Sequence, residues 1–341
     1  MQTIILEKPG QFQLAETEPP TELLPGQALV RVRRVGICGT DIHAFKGDQP
    51  FFSYPRILGH ELGVEVVALD SKVATLKVGD LCAVEPYLNC RVCIACRRGR
   101  PNCCVQLQCL GVHTDGGMRE IITVPAVKLH RSDTLTLEQL ALVETMGIGA
   151  HAVERACLQA GEFALVIGAG PIGLAVIQFA QLAGATVIVM DINQDRLDFC
   201  RHQFKVDWTI AAGKEATTRL REITSNDMPT AVFDATGNRQ SMIHAFDLVA
   251  HSGRLILVGL MLGDVTFHDP DAHRRELTLL CSRNATAANF QRIISLMESG
   301  EIDTTPWITH RASMTSMIDA FPSWIDPKNR VIKAMVDIEG G

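Results

Sequence analysis

Five of the chain's eleven cysteines lie in fifteen residues, "CRVCIACRRGRPNCC" at 90–104. The C-x2-C-x2-C start resembles an iron–sulfur spacing, but there the fourth cysteine follows after three residues and precedes proline. Here Cys103 and Cys104 come seven and eight residues after Cys96, and Val105 follows. A redox C-x-x-C belongs at the start of a helix in a βαβ unit, whereas this one sits in a lobe rich in Gly, Arg and Pro. Four thiolates around a tetrahedral Zn²⁺ account for the cluster best, and a closed four-sulfur shell has no open position for chemistry. Cys90, Cys93 and Cys96 supply three ligands. Spacing does not decide between Cys103 and Cys104 for the fourth.

A second set of metal ligands is more dispersed. "GICGTDIH" (36–43) offers Cys38 and His43, "LGHELG" (58–63) offers His60 and Glu61, and "LVETMG" (142–147) places Glu144 in apolar surroundings. Each has an ordinary reading: a buried cysteine, a core histidine, a solvated glutamate. Together they suggest a catalytic metal with an open position. A third feature is the turn "VIGAGPIG", with Gly168, Gly170 and Gly173 in G-x-G-x-x-G register after a strand and before a helix. Such glycines allow close approach of a pyrophosphate to a helix N-terminus. Asp191 ends the next strand about twenty residues on, where an acidic side chain accepts from ribose hydroxyls and repels a 2′-phosphate, so NAD is expected over NADP.

Two kinds of domain must position these groups. The 341 residues, 47% hydrophobic, suffice for two cores. Residues 1–148 carry short β-type runs ("ALVRVRRVGI", "GVEVVAL", "LCAVEPY") separated by Gly, Pro and Asp, a β-rich domain with functional loops. Residues 149–285 alternate strands ("FALVIG", "TVIVMD", "WTI", "AVFDAT", "RLILVGL", "LTLLCS") with helical patterns, predicting a parallel sheet covered on both faces. Residues 286–341 begin with the amphipathic "NFQRIISLMESGEI" and close on "VIKAMVDI", a strand with no evident partner in that parallel sheet.

Phe163–Met190 has no charged residue and the length of a membrane span, but its glycines and Pro171 read as strand, turn, helix and second strand. The net charge of −6 gives no electrostatic footprint for nucleic acid or an anionic membrane. The start, MQTIILEKPG, lacks an apolar core of signal-peptide length. A cytoplasmic protein, in which clustered cysteines bind metal, is the expectation.

With these motifs in order along the whole chain, the sequence resembles the zinc-dependent medium-chain dehydrogenase/reductase superfamily. The resemblance implies an α/β protein: a GroES-like catalytic domain, a Rossmann doubly wound domain, and a chain end that returns to the first. It implies two zinc ions per chain, with NAD as cofactor. Cys90, Cys93, Cys96 and Cys104 become the structural ligands. Cys38 and His60, with Glu61, Glu144 or both, hold the catalytic ion. Thr40 and His43 become the proton relay, and Asp41 the partner of the other ring nitrogen of His60. A loop role for His43 and a turn role for Asp41 are the plain alternatives. The expected cofactor contacts are Gly168, Gly170, Pro171, Ile172, Gly173, Asp191, Arg196, Thr236, Gly237, Val258, Gly259 and Arg283.

A narrower likeness is carried by "GDQPFFSYPRILGHE", "GVHTDGG", "DATGN", "SRNAT" and "ITHR". This wording is similar to the bacterial L-galactonate and L-gulonate 5-dehydrogenase-like enzymes. It implies oxidation of a secondary hydroxyl, C5, of a C6 sugar acid. His113 and Asp115 would bind hydroxyls, and Arg119 or Arg283 the carboxylate. The chain departs from common family wording at Gly117–Ile121 and at Glu144–Met146, both on the family's substrate side. A polyol dehydrogenase or an L-threonine 3-dehydrogenase is the alternative, and a homo-oligomer, dimer or tetramer, the expected assembly.

Overall fold

The computed structural model describes residues 1–50 and 52–338; the end of the 286–341 segment therefore lies outside the described residues. The chain forms two compact units, Met1–Thr145 together with the chain from Thr286, and Met146–Ala285.

The first unit opens with the hairpin β1 (Gln2–Lys8) and β2 (Gln11–Glu16), then β3 (Gln27–Gly36), helix α1 (Gly39–Lys46) and β4 (Glu61–Leu69). There follow β5 (Leu81–Val84), β6 (Tyr87–Leu88), the short α2 (Ile94–Arg97), β7 (Gln108–Cys109), β8 (Ile121–Pro125) and β9 (Leu129–Ser132). Alternation sends Ala28, Val30 and Val32 of β3 into the core, as expected of a sheet with one face packed and the other polar. The "LCAVEPY" run is split between β5 and β6, because Pro86 cannot donate a ladder hydrogen bond.

Helix α3 (Leu137–Ala156) runs through the residues where the units divide. In the second unit, β10 (Phe163–Ile167), α4 (Pro171–Leu182) and β11 (Thr186–Asp191) account for the charge-free stretch. Among the described residues, no helix is long and apolar enough to cross a membrane. Next come α5 (Gln194–Gln203), β12 (Trp208–Ala211), α6 (Ala216–Ile223), β13 (Ala231–Asp234) and α7 (Arg239–Ala245), then β14 (Arg254–Leu257), α8 (Asp269–Arg274) and β15 (Thr278–Cys281). All five strand pairings are parallel, in the order β12-β11-β10-β13-β14-β15. Numbered from β10, that is 3-2-1-4-5-6, the doubly wound dinucleotide-binding order.

The chain then re-enters the first unit through α9 (Ala287–Glu298), capped by a Thr286–Asn289 box. β16 (Ile308–Ser313), α10 (Met314–Ile325) and β17 (Lys333–Asp337) follow. "VIKAMVDI" finds its partners there: β17 pairs antiparallel with β3 and parallel with β16. The sheet reads β16-β17-β3-β4-β5-β9, with β8 also on β3. Phe321 of α10 packs against Phe12 and Phe45, at 5.0 Å between centroids for each, and so anchors α1.

Candidate functional site

The cysteine lobe brings together Cys90, Cys93, Cys96 and Cys104, whose sulfurs all lie within 4.8 Å of one another. Cys93 Sγ is 3.5 Å from Cys96 Sγ and 3.9 Å from Cys104 Sγ, too far for a disulfide bond. Backbone N–H groups of Cys90 and Gln106 donate to Cys104 Sγ, and that of Cys93 to Cys90 Sγ. Donors aimed at sulfur favour thiolate: backbone N–H groups bring the Cys93 thiol down to about 6, while burial raises Cys104 to about 11. Four such sulfurs converging on one point fit a tetrahedral zinc. Cys103 is exposed and outside the set.

The second centre is built by strand ends. β3 delivers Cys38, the N-cap of α1, while His60 and Glu61 stand where β4 begins. Ligand atoms of Cys38, His60 and Glu61 lie within 4.8 Å of one another. Gly36 pairs with Glu61 across the ladder and makes room for its carboxylate. Buried Asp41 accepts the Cys38 N–H at 2.8 Å through Oδ2, and its Oδ1 stands 3.8 Å from His60 Nδ1. Neither Asp41 Oδ1 nor His60 Nδ1 has a hydrogen-bond partner among the described residues. With Nδ1 toward Asp41, Nε2 is left as the ring's ligand atom. Burial works to lower the His60 imidazole, but Asp41, Cys38 and Glu144 carry it well above its usual range. A pocket that gathers positive charge this way suits a divalent cation.

Two residues that sequence reasoning missed hold the two carboxylates. Lys333, at the start of β17, places Nζ 2.7 Å from both oxygens of Glu61 and 3.0 Å from Ile37 O. Both side chains are buried, and burial, which lowers the ammonium's pKa, is outweighed by Glu61 and Cys38. Glu144 stands outside the Cys38 set; its Oε1 accepts a hydrogen bond from Tyr87. Burial raises the Glu144 carboxyl above its ordinary range. Thr40 lies in the first turn of α1, and exposed His43 places Nδ1 2.9 Å from Asp48 Oδ1.

In the second unit, Gly168 (φ +95°) and Gly170 form the turn between β10 and α4, and Gly173 lies in the first turn of the helix. A Cβ on Gly173 would meet Gly168 O at 1.8 Å, so glycine is required for helix and strand to close. The N-cap of α4 is Gly170, with no side-chain cap, and Pro171 and Ile172 follow in the first turn. Its N–H groups are thus available to an anion. Asp191 accepts from Ala169 N–H at 2.6 Å and Asn193 N–H at 2.8 Å, tying the turn to the end of β11. Arg196 reaches 3.4 Å from where a Gly170 Cβ would stand. Thr236–Gly237 after β13 and Val258–Gly259 after β14 meet closely, since a Cβ on Gly259 would stand 2.3 Å from Gly237 N. These loops end neighbouring parallel strands, the place where such sheets take a dinucleotide.

Residues 24–134 match the alcohol dehydrogenase GroES-like domain, and residues 171–299 match the zinc-binding dehydrogenase domain. An L-galactonate-5-dehydrogenase of Escherichia coli K12 is 38% identical over 338 residues, covering 98% of each chain. The chain belongs to the zinc-binding alcohol dehydrogenase family. An L-arabinitol 4-dehydrogenase of Hypocrea jecorina is 31% identical, covering 95% of this chain and 90% of that one. Among solved structures, the alcohol dehydrogenase rspB of E. coli CFT073, complexed with NADH, superposes with TM-score 0.92 at 30% identity, covering 99% of each chain. The expected family, its α/β fold of GroES-like and Rossmann parts, and its zinc and NAD are thus borne out.

For this dehydrogenase the substrate candidates fare unevenly. His113 Nδ1 accepts the Cys109 N–H at 3.1 Å, so a neutral ring carries its proton on Nε2. Asp115 Oδ1 already accepts from Arg56 and from Ile57 N–H, both at 3.2 Å, so the loop claims much of its capacity. Arg119 is half-buried, donates Nε–H to Gly116 O, and burial lowers its pKa. Arg283 is exposed and follows β15.

Proposed function

We propose that this dehydrogenase oxidises a secondary hydroxyl, at C5, of an L-galactonate-like sugar acid. The full-length 38% identity to the E. coli enzyme named for that substrate carries the reading. When bound, zinc would supply Lewis acidity to a substrate oxygen and NAD⁺ would serve as the hydride acceptor. Cys38 and His60, with Glu61, Glu144 or both, would hold the catalytic ion; Cys90, Cys93, Cys96 and Cys104 would hold the structural one. Asp41 orients His60, and its position 3.8 Å from Nδ1 supports that role. Thr40, in the first turn of α1, would take up the substrate's hydroxyl proton. His43, exposed in the last turn of α1, would pass it to water.

Gly168, Gly170, Pro171, Ile172 and Gly173 seat the pyrophosphate, with Arg196 beside them. Asp191 receives the adenosine ribose. Thr236, Gly237, Val258, Gly259 and Arg283 line the nicotinamide half. His113 donates from Nε2 to a substrate hydroxyl and Asp115 accepts from another, while Arg119 pairs with the carboxylate. Residues 1–148 and 286–341 serve as the catalytic domain and 149–285 as the cofactor domain. The acidic chain takes neither nucleic acid nor membrane as partner. It works in a reducing cytoplasm, a reading supported by eleven cysteines without a disulfide. A homo-oligomer, dimer or tetramer, is supported by the sheet edge at β15, where Leu279 is exposed along with Leu260 and Leu262. The test is a screen of sugar acids, polyols and threonine with NAD⁺, followed at the NADH absorbance. Threonine or a polyol as the best substrate overturns the sugar-acid reading.

A further inference from the structure

The cysteine lobe has an exterior for which the dehydrogenase reaction has no use. Between Pro86 and Thr114 the chain has four arginines, Arg91, Arg97, Arg98 and Arg100, and no aspartate or glutamate. All four are exposed. Arg97 donates to Val92 O, and none of the four has a carboxylate partner among the described residues. Around them stand Val92, Ile94 and Val105, 69%, 56% and 71% exposed. Helix α2 buries none of its residues. The lobe therefore turns its aliphatic side chains outward, and the four converging sulfurs rather than a hydrophobic interior hold it together. Apolar side chains rimmed by guanidinium groups are the composition of a protein-binding surface.

The complement of that surface lies on the same chain. From Pro9 to Val30 there is no lysine or arginine, while Glu16, Glu18 and Glu22 are exposed beside Leu14 and Leu24, themselves 39% and 62% exposed. β2 ends at Glu16, and residues 17–24 run on toward β3 without helix or strand. Pro19, Pro20 and Pro25 fix their φ angles there and restrict the segment. Glu16 has the terminal ammonium at 3.2 Å, whereas Glu18 and Glu22 have no ion-pair partner among the described residues. Both surfaces belong to the first unit, yet they do not pair within one chain.

We propose that the lobe docks on the 14–24 segment of a second copy of this chain. Guanidinium groups then meet carboxylates, and the exposed aliphatic side chains of both segments are covered together. Under a two-fold axis each copy gives its lobe and receives one, so the contact forms twice and closes. Complementary charge sets the register and disfavours lobe-to-lobe pairing, which would oppose arginine to arginine. The structural zinc site thereby shapes a docking arm. The inference rests on reading the chain as a homo-oligomer, and it adds a face of the first unit to the β15 edge of the second.

The test measures mass in solution by analytical ultracentrifugation over a dilution series of zinc-replete protein. Four proteins are compared: wild type, Arg98→Glu with Arg100→Glu, Glu18→Arg with Glu22→Arg, and the two reversals combined. Each reversal alone opposes like charges across the contact and should weaken it about hundredfold, leaving a species of half the wild-type mass. The combined protein restores opposite charges and should recover the wild-type mass. Unchanged mass in either reversal, or a combined protein no larger than the single ones, overturns the proposal. Wild-type protein that is monomeric throughout overturns the homo-oligomer reading, and this inference with it. Zinc content and melting temperature report whether the lobe is intact. If the arginine reversal loses its zinc, the glutamate reversal, which alters no residue of the lobe, decides by itself: half the mass supports the proposal and unchanged mass overturns it.

Discussion

Gly36 and Glu61 face each other across the β3–β4 ladder so closely that a Cβ on Gly36 would stand 2.2 Å from Glu61 Oε2. Gly36→Ala therefore has to push the Glu61 carboxylate away from Lys333. Breaking a buried ion pair by disturbing one partner costs about 3–5 kcal/mol. Denaturant melts should show a loss of that order for Gly36→Ala and for Lys333→Met. The double variant Glu61→Gln, Lys333→Met should recover much of it, because no buried charge is left unpaired. Gly39→Ala, where a Cβ meets nothing within 4 Å, is the control and should stay within about 0.5 kcal/mol of wild type.

Two zinc ions of unequal lability are expected per chain. Four converging thiolates with backbone donors should outlast a chelator that empties the Cys38–His60 centre. Elemental analysis during chelation should pass through a plateau of one ion per chain with activity gone. Cys93→Ser should cost solubility or folding. Cys103→Ser, exposed and outside the set, should cost neither.

The lobe, the glycine turn and the change from β-rich to alternating grammar were legible because each is written in local spacing. What escaped is what depends on long-range register. Lys333 reads as an ordinary strand residue until β17 is paired with β3, 272 positions from Glu61 in sequence. Tyr87 lies in "EPYLNC", and nothing local to it points at Glu144. Cys103 and Cys104 are equivalent by spacing, and the turn Pro101–Cys103 decides which is buried. Gly149 is helical: a Cβ there would meet Ala175 at 2.5 Å, so the glycine serves α3–α4 packing, which its place in the sequence did not reveal.

Asp191 should enforce NAD over NADP. Its carboxylate opposes a 2′-phosphate by charge, and it also holds Ala169 and Asn193 by their N–H groups. Asp191→Ser should cut the NAD/NADP ratio of kcat/KM about tenfold to hundredfold, the equivalent of ~1–3 kcal/mol. It should lower the melting temperature as well, since the turn loses an anchor. Equal use of both cofactors by wild-type protein contradicts this.

Glu162 predicts an acid limb in the stability of the second unit. Burial raises its carboxyl, but hydrogen bonds from Arg254, Gln159 N–H and Thr230 outweigh that and hold it below its usual range. A depressed carboxyl stabilises fully above its unfolded value of about 4.3 and loses that contribution as pH falls through the lower folded value. Urea melts across pH should show Glu162→Gln less stable by about 1–3 kcal/mol at neutral pH. The difference should close in acid, below about pH 4. A difference independent of pH rules out the ionised pair as its source.

The central claim is a zinc- and NAD-dependent oxidation of a sugar acid, and the decisive measurement is kcat/KM for L-galactonate against the corresponding uncharged polyol, both with NAD⁺. An arginine aimed at the carboxylate predicts an advantage for the acid of about 30-fold or more, the ~2–4 kcal/mol of a buried charge left without its partner. A polyol turned over as well as the acid would contradict the account and make this chain a polyol dehydrogenase.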